Sequence, residues 1–310
     1  KYQAWQPVTP PALWDESANI FSVIKQQDVL VHHPYESFSK SVERFILSAA
    51  DDPSVLAIKM TLYRTGQHSP IVKALMRAAE LGKQVVCLIE LKARLDEERN
   101  IYWAKELERV GVHVVYGVVG LKTHCKTTMV VRKEGNKIRT YAHIGTGNYH
   151  PQTAKLYTDF GLFTSNKSIV NEMVELFHFL TGRSMKDDYK KLLVAPINLK
   201  KKIIASIRAE AENAKKGLPA EVLVKINALE EKDVIEELYK ASQAGVKINM
   251  IIRGFCCLLP GKKGLSENIN VISIIGPFLE HSRVYYFRRG KKSRKDGDLY
   301  IGSADWMKRN

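Results

Sequence analysis

The chain predicts an α/β fold built from two similar units, and three observations predict it. Strand-length apolar runs alternate with segments of helical period. The order of those segments returns in the second half of the chain. Two histidine motifs recur with the same internal spacing, one in each half. At about 100–200 residues per domain, 310 residues suit about two domains. Residues 1–27 carry Pro7, Pro10 and Pro11 without a clean period and are expected to be a remnant linking to a preceding domain. Residues 28–190 are expected to form the first unit, and 191–310 a second unit truncated at its C-terminal end.

The elements follow in order. Asp28 to Val31 reads as a short strand. Ser37 to Ala50 places apolar residues at 38, 42, 45, 46 and 49, a helical period. Val55 to Met60 reads as a buried strand, and Ile71 to Leu81 as a helix stopped by Gly82. Gln84 to Glu90 is a strand, Asp96 to Val110 a helix ended by Gly111, and Val112 to Tyr116 a strand. Cys125 to Val131 and Lys137 to Ile144 read as two strands joined by a turn containing Glu134-Gly135-Asn136. Helices are expected over 166–180 and 199–216. The first pattern then returns: strand 222–226, helix 234–244 ended by Gly245, strand 246–252. Such alternation indicates helix-flanked sheets.

Composition narrows the function. Lys+Arg number 48 against 33 Asp+Glu, a net charge of +15, and 45% of residues are hydrophobic. A disordered polyelectrolyte and a small stapled scaffold are excluded. No apolar run approaches the roughly 18 residues of a membrane span. Cys87, Cys125, Cys256 and Cys257 make no C-x-x-C pair, which argues against a zinc ribbon or disulfide framework and fits a reducing, cytoplasmic setting. The positive excess implies polyanionic company: nucleic acid, an anionic membrane surface or a phosphate-rich substrate. Residues 281–310 hold a net +6, much of it in the run from Arg288 to Lys295, expected to be a solvated hairpin loop. No Gly-x-x-x-x-Gly-Lys-Ser/Thr loop is present, so the chain is not a P-loop kinase.

The two histidine motifs carry the chemistry. His124-Cys125-Lys126 precedes Gly145-Thr146-Gly147-Asn148, and His281-Ser282-Arg283 precedes Gly302-Ser303-Ala304-Asp305. His124 to Asn148 and His281 to Asp305 are both 24 residues apart. A neutral imidazole nitrogen can attack phosphorus, and a cation two residues on, sharing the strand face, can stabilise the non-bridging oxygens. The Asn or Asp can accept from the other ring N–H. A second histidine can protonate a leaving oxygen. The remaining histidines (32, 33, 68, 113, 143, 150 and 178) are read as structural or exposed, and Cys125 is assigned no chemistry.

The paired motif resembles the phospholipase D superfamily, with His-x-Lys followed by Gly-x-x-Asn. It departs from that pattern where an acidic residue is expected seven positions after each histidine, since Val131 and Arg288 stand there. The longer segments 57–64, 90–98, 141–149, 156–159, 252–254 and 303–307 are similar to the first family of polyphosphate kinases. This resemblance implies two phospholipase D-like α/β domains and reversible transfer of the ATP γ-phosphate to polyphosphate through a phosphohistidine. It implies that His124 is the phosphorylated histidine and that His281 contacts ATP as general acid/base. Tyr157 and Arg253 match nucleotide-contacting positions. Lys126 and Arg283 are read as stabilising phosphate. Arg64 and Arg94 match positions of the family's Mg²⁺ site; a guanidinium has no lone pair for a metal, so both are read as clamps on Mg²⁺-bound phosphate oxygens. The implied partners are ATP and polyphosphate, with no specific nucleic acid. A homo-oligomer and association with the inner face of the membrane are further expectations. Two readings from other classes are a phospholipase D-type phosphodiesterase and a non-catalytic polyanion-binding module.

Overall fold

The structure, a computed structural model, describes residues 5–64, 66, 69–90, 97–118, 120–184 and 186–310. It divides into two compact units, Lys1–Lys186 with Lys190–Leu192, and Asp187–Tyr189 with Leu193–Asn310. Each has its own apolar core. The expected α/β class, with mixed sheets flanked by helices, is what the chain adopts. Among the described residues no helix is long and apolar enough to cross a membrane.

In the first unit, α1 (Ile20–Gln26) and β1 (Val29–His33) lead to α2 (Arg44–Asp51), β2 (Val55–Leu62), α3 (Pro70–Glu80), β3 (Gln84–Ile89), α4 (Glu97–Arg109) and β4 (His113–Val115). The hairpin β5 (Lys126–Glu134) and β6 (Lys137–Gly145), then β7 (Tyr157–Thr164) and α5 (Lys167–Leu180), complete it. The strand order is β1-β7-β6-β5-β2-β3-β4, with β2, β3 and β4 parallel and β5 antiparallel to β2. Asn19 caps α1 by accepting from Phe21 N–H at 2.9 Å, and Ser69 caps α3 ahead of Pro70. The chain leaves α3 through Gly82 at φ 81°, which suits glycine.

The segment expected to be a linker behaves differently. Leu13, Ile20, Phe21 and Ile24 are buried in the first core. Arg44 donates to the carbonyls of Leu13, Asp15 and Ala18 at 2.7–2.9 Å, tying an aperiodic stretch to α2. Such tertiary hydrogen bonds leave no periodic trace in sequence.

The second unit contains α6 (Leu199–Lys215), β8 (Glu221–Ile226), α7 (Lys232–Gln243), β9 (Lys247–Ile252), β10 (Ile269–Ile272), the two-residue β11 (Leu279–Glu280), β12 (Arg283–Phe287) and β13 (Asp298–Gly302). Its order β10-β9-β8-β12-β13 reproduces β4-β3-β2-β5-β6 of the first unit, with the same parallel and antiparallel pairings. The basic run between β12 and β13 is only partly solvated. Arg294 forks onto Glu221 at 2.7 and 2.9 Å, and Arg289 pairs with Asp298 at 2.6 Å; Lys291, Lys292 and Lys295 are exposed.

Candidate active site

The internal repeat extends to single residues. Lys126, the first residue of β5, lies opposite Gly145 at the end of β6, and Arg283, the first residue of β12, lies opposite Gly302 at the end of β13. Each histidine therefore enters its strand at the same place, and each Gly-x-x-Asn/Asp turn leaves the paired strand beside it.

In the first unit the C-terminal ends of β2 and β3 build the surroundings of His124, where ligands gather in open α/β sheets. The Tyr63 ring meets the His124 ring edge-on at 5.2 Å. Lys126 Nζ, Lys122 Nζ and Arg64 Cζ lie 4.9, 5.6 and 5.7 Å from the centre of that ring. The negative face of the phenol helps to hold this cluster of cations beside one imidazole. Lys126 is 2% exposed and donates to the His124 carbonyl. Buried Glu90 accepts from Thr123 N–H at 2.7 Å, and Asn100 of α4 donates to the carbonyls of Tyr63 and Glu90, both at 2.9 Å. Tyr63, Glu90, Asn100 and Thr61 were not assigned roles from sequence. Thr61, Tyr63 and Glu90 stand inside the segments that carry the family resemblance, which is the available signal.

The Gly145–Asn148 turn is braced from below. Thr146 donates from Oγ1 to Asp159 at 2.5 Å, and its N–H donates to the Phe160 carbonyl at 2.9 Å. Gly147 is required there, because a Cβ would lie 2.2 Å from Asp159 Oδ2. His143 and His33 are buried beside this turn, in the small cleft that Asn148 and Asp159 also line. Burial drives His143 down to about 3 and lowers His33 as well, although the Glu36 carbonyl and Asp159 oppose the shift on His33. Both are neutral packing groups, in keeping with the structural reading. Burial raises the Cys125 thiol, although Lys126 and the Thr61 hydroxyl oppose the shift, and this disfavours its thiolate.

In the second unit His281 and Arg283 are buried. Arg283 lies 3.0 Å from Asp305 in an ion pair and reaches His281 Nε2 at 3.1 Å. Asp305 thus bears on His281 through Arg283, where direct acceptance from the ring was expected. Arg253, just past β9, donates to the carbonyl of Glu280, the residue before His281, at 3.1 Å. The structure brings His124, Lys126 and Arg64 together in one unit, and His281, Arg283 and Arg253 in the other. Tyr157 opens β7, partly buried. Arg94 lies outside the described residues. Among the described residues no group of three or more His, Cys, Asp or Glu is arranged to hold a metal ion.

Two family models match the chain: polyphosphate kinase C-terminal domain 1 over residues 19–186 and polyphosphate kinase C-terminal domain 2 over residues 192–310. A polyphosphate kinase of Synechocystis sp. is 54% identical over 325 residues, covering 100% of this chain and 44% of that protein. One of Mycolicibacterium gilvum is 54% identical over 98% of this chain and 41% of its own length. The chain therefore spans under half the length of these curated relatives. The crystal structure of polyphosphate kinase from Porphyromonas gingivalis aligns with a TM-score of 0.87 at 38% identity, over 98% of this chain and 49% of that one. Phosphatidylserine synthase of Haemophilus influenzae Rd KW20, at 8% identity and a TM-score of 0.56, shares the fold alone.

Proposed function

Because the chain belongs to the polyphosphate kinase family, we propose that it carries the phosphoryl-transfer centre of an enzyme that moves the ATP γ-phosphate reversibly to the end of inorganic polyphosphate. The observation that carries this reading is the cation cluster around His124: Arg64, Lys122 and Lys126 share one aromatic ring with it. A ring nitrogen of His124 attacks the γ-phosphorus, the P–O bond to ADP breaks, and ADP departs with the electron pair. A terminal polyphosphate oxygen then attacks the phosphohistidine, and the N–P bond breaks. Little covalent work falls to other groups in such a transfer; positioning and charge stabilisation dominate. Arg64, Lys126, Arg94 and Arg253 are proposed as phosphate-oxygen contacts, with Tyr157, Arg253 and His281 on the nucleotide.

The described residues offer no cage for a resident metal ion, and a guanidinium cannot ligate one. Mg²⁺ is read as part of the nucleotide substrate, carried on its phosphate oxygens. Homo-oligomeric assembly has the family resemblance as its support, a cytoplasmic setting rests on the cysteines, which form no C-x-x-C pair, and association with the membrane's inner face is a separate proposal.

The test is brief exposure of the whole protein to γ-labelled ATP, followed by mapping of acid-labile phosphate. Label at His124, lost in His124→Ala, is expected. Label surviving in that variant sinks the assignment. A diester reporter in a parallel incubation checks the phosphodiesterase alternative.

A further inference from the structure

Arg283 is 4% exposed and its N–H groups are already directed. Nη1 lies 3.1 Å from His281 Nε2 and 2.8 Å from the His281 carbonyl, while Nε and Nη2 lie 3.3 and 3.0 Å from the two oxygens of Asp305. In the orientation that satisfies both ends of its amide, Asn227 also accepts from Arg283 and donates to the Glu280 carbonyl at 3.2 Å. Among the described residues, Glu280, paired with Lys225 at 2.6 Å, and Arg253, donating to the Glu280 carbonyl, also face this corner.

A guanidinium has only donors and keeps its charge. His281 Nε2 must therefore accept from Arg283 and bear the ring's lone pair, which leaves the ring proton on Nδ1. Protonating Nε2 would set N–H against N–H beside a buried cation. The corresponding positions of the first unit hold Lys126 and Asn148, so the carboxylate that anchors this arrangement belongs to the second motif alone.

We infer that Arg283 and Asp305 are positioning residues that hold His281 as a neutral imidazole with its proton on Nδ1. His281 then serves as a hydrogen-bond donor to a phosphate oxygen, not as a proton-transferring acid or base. The identity of that acceptor rests on the phosphoryl-transfer reading; the tautomer rests on the geometry alone. The chemistry agrees. ADP leaves through a terminal phosphate oxygen, and such groups lose their second proton near pH ~6. A leaving group already stable as an anion needs no proton, and an ionised polyphosphate end has none to give up. A neutral imidazole can polarise an oxygen by donation alone. Arg283, engaged on every side, is then a support for His281 and not a phosphate clamp.

Nitrogen NMR of the whole protein labelled with ¹⁵N-histidine tests the tautomer, with His281 assigned by the signal lost in His281→Asn. A pyridine-type Nε2 and a pyrrole-type Nδ1 near neutral pH are expected. An Nε2–H tautomer or an imidazolium overturns the inference. In Asp305→Asn the pattern should move towards mixed tautomers, and an unchanged pattern removes Asp305 from the role. Turnover tests donation. His281→Asn, whose amide N–H takes the place of Nδ1–H, should stay within about tenfold of the parent, while His281→Ala falls by about 10²–10³, as when one oxyanion donor is lost. Equal losses in the two variants overturn the donor role. Labelling of His124 in the unmodified protein is the separate readout: its absence sinks the phosphotransfer reading and leaves the tautomer result standing.

Discussion

Thr61 directs its hydroxyl at the stretch that carries the first histidine motif. Oγ1 donates to the Cys125 carbonyl at 2.7 Å and accepts from Thr127 N–H at 3.1 Å, on either side of Lys126. Thr61→Val keeps the shape and leaves a buried N–H and a partly buried carbonyl without that partner, at a cost of about 1–3 kcal/mol. A lower melting temperature and a lower phosphohistidine yield are expected together; a variant that melts like its parent would show that the bonds are dispensable. Tyr63 makes a sharper case. Tyr63→Phe keeps the ring that meets His124 and the nearby cations, so labelling should stay close to the parent rate. Tyr63→Leu removes ring contacts that contribute about 0.5–2 kcal/mol each, and labelling should slow about tenfold or more. Equal rates for Phe and Leu would remove the ring from the mechanism. His124 and His281 were legible because spacing along the chain survives without a structure. The work of Tyr63 and Asn100 was not, because it arises where the ends of β2, β3 and α4 meet in space.

The β5–β6 hairpin shows how one element gathers charge. Glu134 ends β5 and meets Lys25 at 2.9 Å, Arg139 at 3.1 Å and Arg132 at 3.2 Å, with Tyr141 donating to it as well. Burial raises its carboxyl, but the hydrogen bonds from Tyr141, Lys25 and Arg139 outweigh it and push the group down to about 2. A carboxyl depressed on folding contributes stability that is present above its unfolded value near 4.5 and is lost as pH falls towards 2. Glu134→Gln should therefore lower stability by about 1–2 kcal/mol at neutral pH, after allowance for the half-exposed Lys25. In urea unfolding across pH, the gap between variant and parent should close between about 4.5 and 2; a gap independent of pH would discard the ion cluster as its cause. Elements of this kind were largely legible. Gly82, Gly111 and Gly245 mark helix ends, and Gly135-Asn136 marks the hairpin turn. The chain before β1 was not, because Phe21 earns its place by packing on Phe45 and Tyr141, with ring centres 5.6 and 5.0 Å apart. Those partners are distant in sequence.

For the molecule as a whole, the +15 excess is a statement about partners only where the charge is available to them. Several cations are satisfied internally: Arg132 by Asp52 and Glu134, Arg283 by Asp305, Arg289 by Asp298 and Arg294 by Glu221. Composition could not tell these from the rest, since an ion pair depends on which strands become neighbours. Lys291, Lys292 and Lys295 are exposed on the β12–β13 loop, where a long polyanion could reach them. Condensed counterions surround any dense polyanion, and each phosphate neutralised by a lysine releases about one of them. On the polyphosphate reading, binding of long chains should weaken steeply with salt, with the logarithm of affinity linear in the logarithm of ionic strength. Replacing the three lysines together by glutamine should make that slope shallower by about 1–3 units and leave the melting temperature unchanged, because the side chains lie in solvent. Labelling of His124 by ATP, a compact substrate, should respond far less. Filter binding of long polyphosphate at several salt concentrations separates the outcomes. A slope identical to the parent's would return these lysines to the status of a solvated turn and locate the polyphosphate track on other residues.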